Sequence, residues 1–231
     1  MMADNKIRIG RRALIAGAAA TSLLAAMPSR ASAQGGLGLF SILGQATDSA
    51  LDKLAQPGAF YNDEAIRIAL PIIGDMGSRA GGLLGSILGG GNRLGILGDV
   101  TRSINDAAGI AAGEAKPIFR DAIDDLSFSD APGIIRQDDG GTQYLRQSSN
   151  DRLHARLEPL VDGALQELGV YSAFDGLAGE HSFIRDAGLN RQSINRSVTD
   201  QGLDGIFAYI GSEERGFRQN PLRGLGSLLG N

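Results

Sequence analysis

Asn150–Gly169 reads NDRLHARLEPLVDGALQELG, and the spacing of its apolar residues decides the fold. Leu153, Leu157, Leu160, Val161, Ala164, Leu165 and Leu168 recur at i, i+4, i+7 and i+8, which places them on one stripe of an α-helix. A half-buried strand would need strict alternation, and this stretch has none. Gly169 suits the stop, because glycine accepts the left-handed backbone that often ends a helix. Pro159 removes one backbone donor inside the run and predicts a bend there.

The same period continues on both sides. Leu97, Val100, Ile104, Ala108, Ala111 and Ala115 mark an earlier helix. Pro117 then suits the first turn of the next, which turns Ile118, Phe119, Ala122, Ile123 and Leu126 inward. Val198, Leu203, Ile206, Phe207 and Ile210 mark a late helix despite Gly202 and Gly205 within it. Alternation is confined to AIRIALPII at 65–73, where Ile66, Ile68, Leu70 and Ile72 share a side. Pro71 reduces that run to an edge strand or an extended connector. In the turn RQDDGGTQ, Thr142 reads as the N-cap of a helix bearing Tyr144 and Leu145, and Ser129 as a similar cap. The expectation is all-α: a single multi-helix domain with little or no sheet.

The N-terminus is set apart by composition. Lys6, Arg8, Arg11 and Arg12 precede an uncharged run from Ala13 to Met27, then Pro28 and Ala31-Ser32-Ala33. The run is shorter than the roughly 20 residues needed to cross a bilayer. Charged region, apolar region and small-residue site together read as a cleavable export signal. The paired arginines in GRRALI, before a mildly apolar Ala/Gly/Thr run, favour the twin-arginine route over the general secretory one. The expected organisation is a signal at 1–33, a Gly/Leu-rich segment at 34–50, a helical domain at 51–221 and a Gly/Leu-rich tail at 222–231. The expected location is the periplasm, with cleavage after Ala33.

Cleavage changes the charge. The leader holds five basic residues against Asp4, so the formal net charge of −4 becomes −8 in the mature chain. An acidic surface repels phosphate backbones and anionic lipid, which argues against nucleic acid and against peripheral membrane contact. There is no cysteine, so export brings no disulfide. About 200 residues suffice for one substantial core.

The pattern L-x-S-[IL]-L-G occurs three times, at Leu39–Gly44, Leu84–Gly89 and Leu225–Gly230. No Lys follows Gly91 to complete a phosphate loop. Gly81, Gly85 and Gly89, four residues apart, would instead leave a groove on a helix into which another backbone fits. Docking within the fold is the first reading. A partner or self-association surface built on Leu84, Ile87 and Leu88 is the second, and membrane attachment the last.

Catalytic signals are thin. His154 and His181 are the only histidines, no G-x-S-x-G elbow occurs, and neither metal nor cofactor is called for. His154 reads as a helix-surface pair with Glu158. Asp121, Asp124, Asp125 and Asp130 cluster in sequence and Asp138-Asp139 falls in a Gly loop; neither has calcium-loop spacing, and solvated helix charges explain them. The candidate ligand-binding residues are Tyr61, Arg67, Asp130, Thr142, Tyr144 and Arg146. Arg67 interrupts an apolar run, so its guanidinium calls for a carboxylate partner. An ion pair with Asp130 or Asp204 is the first expectation and an anionic ligand the second.

Several spaced motifs carry a family resemblance. FYNDEAIRIALP, AKPIFRDAI, LSFSDAPGII, TQYLRQSSNDRL with LEPLVDGAL, and SVTDQGLDGIF, in that order between Leu51 and Pro221, resemble the bacterial family catalogued as domain of unknown function 4197. The resemblance implies an exported helical protein and supplies no catalytic residue. The chain departs from that family at Gly81–Gly98 and at Ala69, where a proline is usual. The functional expectation is a periplasmic binding or protein-interaction module for a small ligand or protein, able to self-associate. The alternative is a periplasmic hydrolase using acidic residues such as Asp130 and Asp138 with Tyr and Arg of a helical pocket.

Overall fold

The structure, a computed structural model, describes residues 30–69, 93–127, 137–180 and 190–220, with side chains from Gly38 and, in the second stretch, from Gly98 onward. The chain divides into two units, 1–36 and 37–231. The described residues form seven helices and no strand, so the fold is all-α as the periodicity predicts. They are α1 Arg30–Leu54, α2 Ala59–Asn62, α3 Arg93–Glu114, α4 Lys116–Asp124, α5 Gly140–Glu167, α6 Val170–Glu180 and α7 Arg191–Gln219.

The leucine stripe of α5 is the spine. Leu145, Leu153, Leu157, Val161, Ala164 and Leu165 are buried, and α5 packs most extensively against α7, then against α3, α4 and α6. Leu168 departs from the expected stripe and is exposed, because it stands at the helix end just before Gly169 turns the chain at φ 70°. Pro159 lies inside α5, and the helix runs through it. In α4, Pro117 stands in the first turn, and Ile118, Phe119, Ala122 and Ile123 face the core. The α7 start is fixed by Asn190, whose side chain accepts from Ser193 N–H at 3.0 Å while Ser193 Oγ accepts from Asn190 N–H at 2.9 Å. This reciprocal cap satisfies two donors that every helix start leaves open. Farther along, the Phe207 ring meets Phe119 edge-on at 6.1 Å.

Gly205 has a packing reason within α7. A Cβ there would lie 2.9 Å from Phe60 Cε1 and 3.3 Å from Ile66 Cβ, so the missing side chain lets α2 and the following turn press onto the helix.

The first L-x-S-[IL]-L-G copy lies in α1, where Leu39 and Leu43 are buried and Ser41 faces out. Ala46, Ala50, Leu51 and Leu54 continue its inward stripe, so this stretch docks within the fold and the helical body reaches back to Leu37. The other two copies, with Leu84, Ile87 and Leu88, lie outside the described residues, as do Ser129, Asp130 and His181.

Thr142 is not the N-cap. The helix starts earlier, with Asp139 at the cap position making no side-chain capping bond, and Thr142 stands in the first turn. The open donors there are met from α7. Glu214, fully buried, accepts from Gly141 N–H at 2.9 Å, from Thr142 N–H at 2.7 Å and from Thr142 Oγ1 at 2.7 Å. Arg218, one turn on, donates to the same carboxylate at 2.7 Å and balances its charge.

Candidate functional site

The segment Asp63–Ala69 links α2 to the residues beyond and carries Arg67. It turns first on Asp63, whose carbonyl accepts from Ile66 and Arg67 N–H and whose carboxylate accepts from Ala65 N–H at 2.9 Å. From Arg67 to Ala69 the chain is neither helix nor turn. Ile66 and Ile68 are buried while Arg67 and Ala69 are exposed, the alternation expected from sequence.

The partner of this run is not a strand. Asn105 of α3, itself buried, accepts from Ile68 N–H at 2.8 Å and donates to Ile68 C=O at 3.0 Å. Gln201 of α7 does the same for the next residue, accepting from Ala69 N–H at 2.9 Å and donating to its carbonyl at 3.2 Å. Two side-chain amides thus replace the ladder that a neighbouring strand would supply, satisfying backbone groups that would be costly to leave open. Neither amide was singled out in the sequence, since nothing local distinguishes Asn105 or Gln201 from other polar helix residues.

This clamp presents Arg67 outward; of its two expected partners, Asp204 pairs elsewhere and Asp130 lies outside the described residues. Arg67 is exposed, and its Nε donates to the Tyr61 carbonyl at 2.5 Å. Its guanidinium carbon lies 5.1 Å from the Tyr61 ring centre, and that of Arg102, from α3, lies 4.3 Å from the same ring. Among the described residues neither arginine reaches a carboxylate. Asp204 pairs with Arg146 instead. Arg67 is exposed between the buried Ile66 and Ile68, so burial forces no carboxylate on it.

That arrangement contrasts with the arginines that lace the helices together. Arg120 holds Asp48, Arg152 holds Asp125 at 2.6 Å, Arg156 holds Asp121 at 2.9 Å and Arg215 holds Asp139. Arg191 is held most fully. It grips Asp162 with two nitrogens at 3.1 and 2.7 Å, donates to Gln166 at 2.6 Å and lies 4.5 Å from the Tyr171 ring centre. The Arg191 hydrogen bonds hold the Asp162 carboxyl below its ordinary range, and Tyr171, half-buried and donating to Asp162 at 2.7 Å, is pushed well above the usual phenol value. Tyr209 is also pushed up, to about 12, first by burial and then by donating to Asp63. These clusters are ties between elements.

The other expected site residues are engaged elsewhere. The Tyr144 hydroxyl donates to the Ser127 carbonyl at 2.6 Å. Arg146 pairs with Asp204 and lies over the Phe207 ring at 5.4 Å. Thr142 is spent on Glu214. The structure therefore joins Tyr61 with Arg67, adds Arg102, and leaves Thr142, Tyr144 and Arg146 in structural contacts. His154 pairs across to Asp200 of α7 at 3.0 Å rather than with Glu158 on its own helix. Two grooves, of about 550 Å³ beside Phe40, Asp48 and Arg120 and about 440 Å³ beside Ser193, Arg196 and Asp200, include none of the expected residues. Among the described residues no three His, Asp or Glu side chains come together as a metal site, and no helix is long and apolar enough to cross a membrane.

A helical scaffold laced by cross-helix ion pairs, with one non-helical segment clamped on its surface, defines the class of protein. The chain belongs to the family described as "Protein of unknown function (DUF4197)", matched over residues 29–231. No curated protein and no solved structure gives a significant match.

Proposed function

We propose that the chain is an exported binding module whose ligand or partner is recognised at the Tyr61–Arg67 face. The observation that carries the reading is Arg67 itself. A guanidinium set in an apolar run was expected to be neutralised inside the fold, and instead it stands on an aromatic ring at the surface. Its Nη donors face no carboxylate among the described residues. The clamp by Asn105 and Gln201 fixes the backbone beneath it, so the donors are preorganised, which lowers the entropy lost on binding. Export is supported by the basic leader, the mildly apolar run and the small residues before Gln34.

Native mass spectrometry of the protein released from the periplasm tests the reading. A bound mass carried by the wild type and absent from Arg67→Ala is the expected result. The melting temperature of apo Arg67→Ala should stay near wild type, because exposed substitutions of this kind cost about 0.5 kcal/mol or less, or roughly 1 with the ring contact. A bound mass that survives in Arg67→Ala, or a large drop in apo stability, overturns it.

A further inference from the structure

We propose that Arg67 and Arg102 together form a site for a doubly charged oxyanion, a dicarboxylate or a phosphate monoester, with Tyr61 as the platform that holds both guanidinium groups. The inference rests on the reading of the Tyr61–Arg67 face as a binding surface and adds to it a second residue and a ligand class.

The geometry places two like charges on one ring. The guanidinium carbons stand 5.1 and 4.3 Å from the Tyr61 centre, so the two lie within about one Debye length of each other. Two like charges this close repel, and a dianion bridging them would remove the repulsion. Arg102 has local alternatives. Asp99 and Asp106 stand three residues before and four residues after it on α3, the spacing of helix ion pairs, yet no ion pair joins either to Arg102. It turns to Tyr61.

The donor inventory fits a dianion. An arginine has five N–H donors. Arg67 spends its Nε on the Tyr61 carbonyl, leaving both Nη groups, and no hydrogen bond to a described residue engages Arg102. Planar forks of this kind match the oxygens of carboxylate and phosphate bidentately. Two forks demand two negative charges for balance, so a monoanion leaves one guanidinium unmatched. Tyr61 holds both cations through its ring face, which leaves their N–H edges for the ligand. In a chain whose formal net charge without the leader is −8, two neighbouring cations with no carboxylate partner among the described residues also set this spot apart.

The test is calorimetric titration of the exported protein with inorganic phosphate, succinate and acetate at one ionic strength. Phosphate or succinate should bind at least about tenfold more tightly than acetate, a difference that one additional charge-assisted contact provides. Preference for phosphate assigns a phosphate-bearing ligand, and preference for succinate a dicarboxylate. Arg67→Ala and Arg102→Ala should each weaken the dianion about tenfold while leaving acetate almost unchanged. Circular dichroism checks that both variants stay folded, and Arg102→Lys should restore part of the loss. Dianion binding no tighter than acetate binding, or undiminished in Arg102→Ala, overturns the site. If Arg67→Ala loses the natively bound mass while Arg102→Ala keeps it, the binding module stands and the paired-guanidinium site falls.

Discussion

Glu214 and Gly141 approach so closely that no side chain fits between them. The Gly141 N–H donates to Glu214 Oε1 at 2.9 Å, and a Cβ on Gly141 would stand 2.9 Å from the same oxygen. The carboxylate sits on the open donors of the first turn of α5, where the helix dipole favours negative charge, and Arg218 completes its balance. Removing one member of a buried charge pair typically costs about 3–5 kcal/mol. Glu214→Ala should lower stability in that range, and Gly141→Ala by about 1–3 kcal/mol through overpacking. Because both act at one contact, the double variant should cost clearly less than the two singles together, as denaturant unfolding would measure. Additive losses would mean that the two residues are not coupled.

The amide clamp gives a second prediction. Asn105 is buried and serves Ile68 N–H, Ile68 C=O and Thr101 C=O at once. Asn105→Ala leaves those groups without that partner and should cost about 1–3 kcal/mol. Gln201→Ala acts nearer the solvent, at exposed Ala69, and should cost less. Hydrogen exchange at the Ile68 amide separates local from global effects: it should speed up in Asn105→Ala even where the rest of the core keeps its protection.

The helices were legible because helix formation is local. The stripes of α3, α4, α5 and α7 are written at 3.6-residue spacing, and each of their inward residues answers to near neighbours. The outward side of Arg67 was legible too, through alternation with Ile66 and Ile68. What could not be read were partners distant in the chain. Thr142 stands in the first turn rather than at the cap, and the group that meets the open donors there, Glu214, is 72 residues away. Gln201 reaches Ala69 across 132 residues. Nothing local in the sequence marks Arg102, and only the fold brings it to Tyr61. For Arg67, the apolar neighbourhood in sequence is not burial in space: the residue is exposed, and Asp204 pairs with Arg146.

Alkaline pH should unlock one tie. The Tyr209 phenol is pushed up to about 12 in the folded protein, first by burial and then by its hydrogen bond to Asp63, against about 10 for an unfolded tyrosine. The folded state therefore holds the proton where the unfolded state has lost it. The contribution is complete below pH 10 and fades as pH rises from about 10 towards 12. Tyr171 shifts in the same direction. Unfolding curves across that window should fall less steeply in Tyr209→Phe than in wild type. An identical slope in both would show that the Asp63 contact does not govern the loss.

Export gives the last prediction. Replacing Arg11 and Arg12 by lysine keeps the leader's charge and removes the paired arginines that the twin-arginine route reads. The double variant should accumulate uncleaved in the cytoplasm; normal delivery to the periplasm would assign the general secretory route instead. Cleavage after Ala33 would remove only the opening turn of α1, which begins at Arg30, while Leu39 and Leu43, its first residues described as buried, remain. The processed chain starting at Gln34 should therefore melt at the same temperature as the unprocessed one. A lower melting temperature after processing would mean that residues before Gln34 belong to the folded body. A mature N-terminus upstream of Ala31, read by terminal sequencing, would place the cleavage site elsewhere.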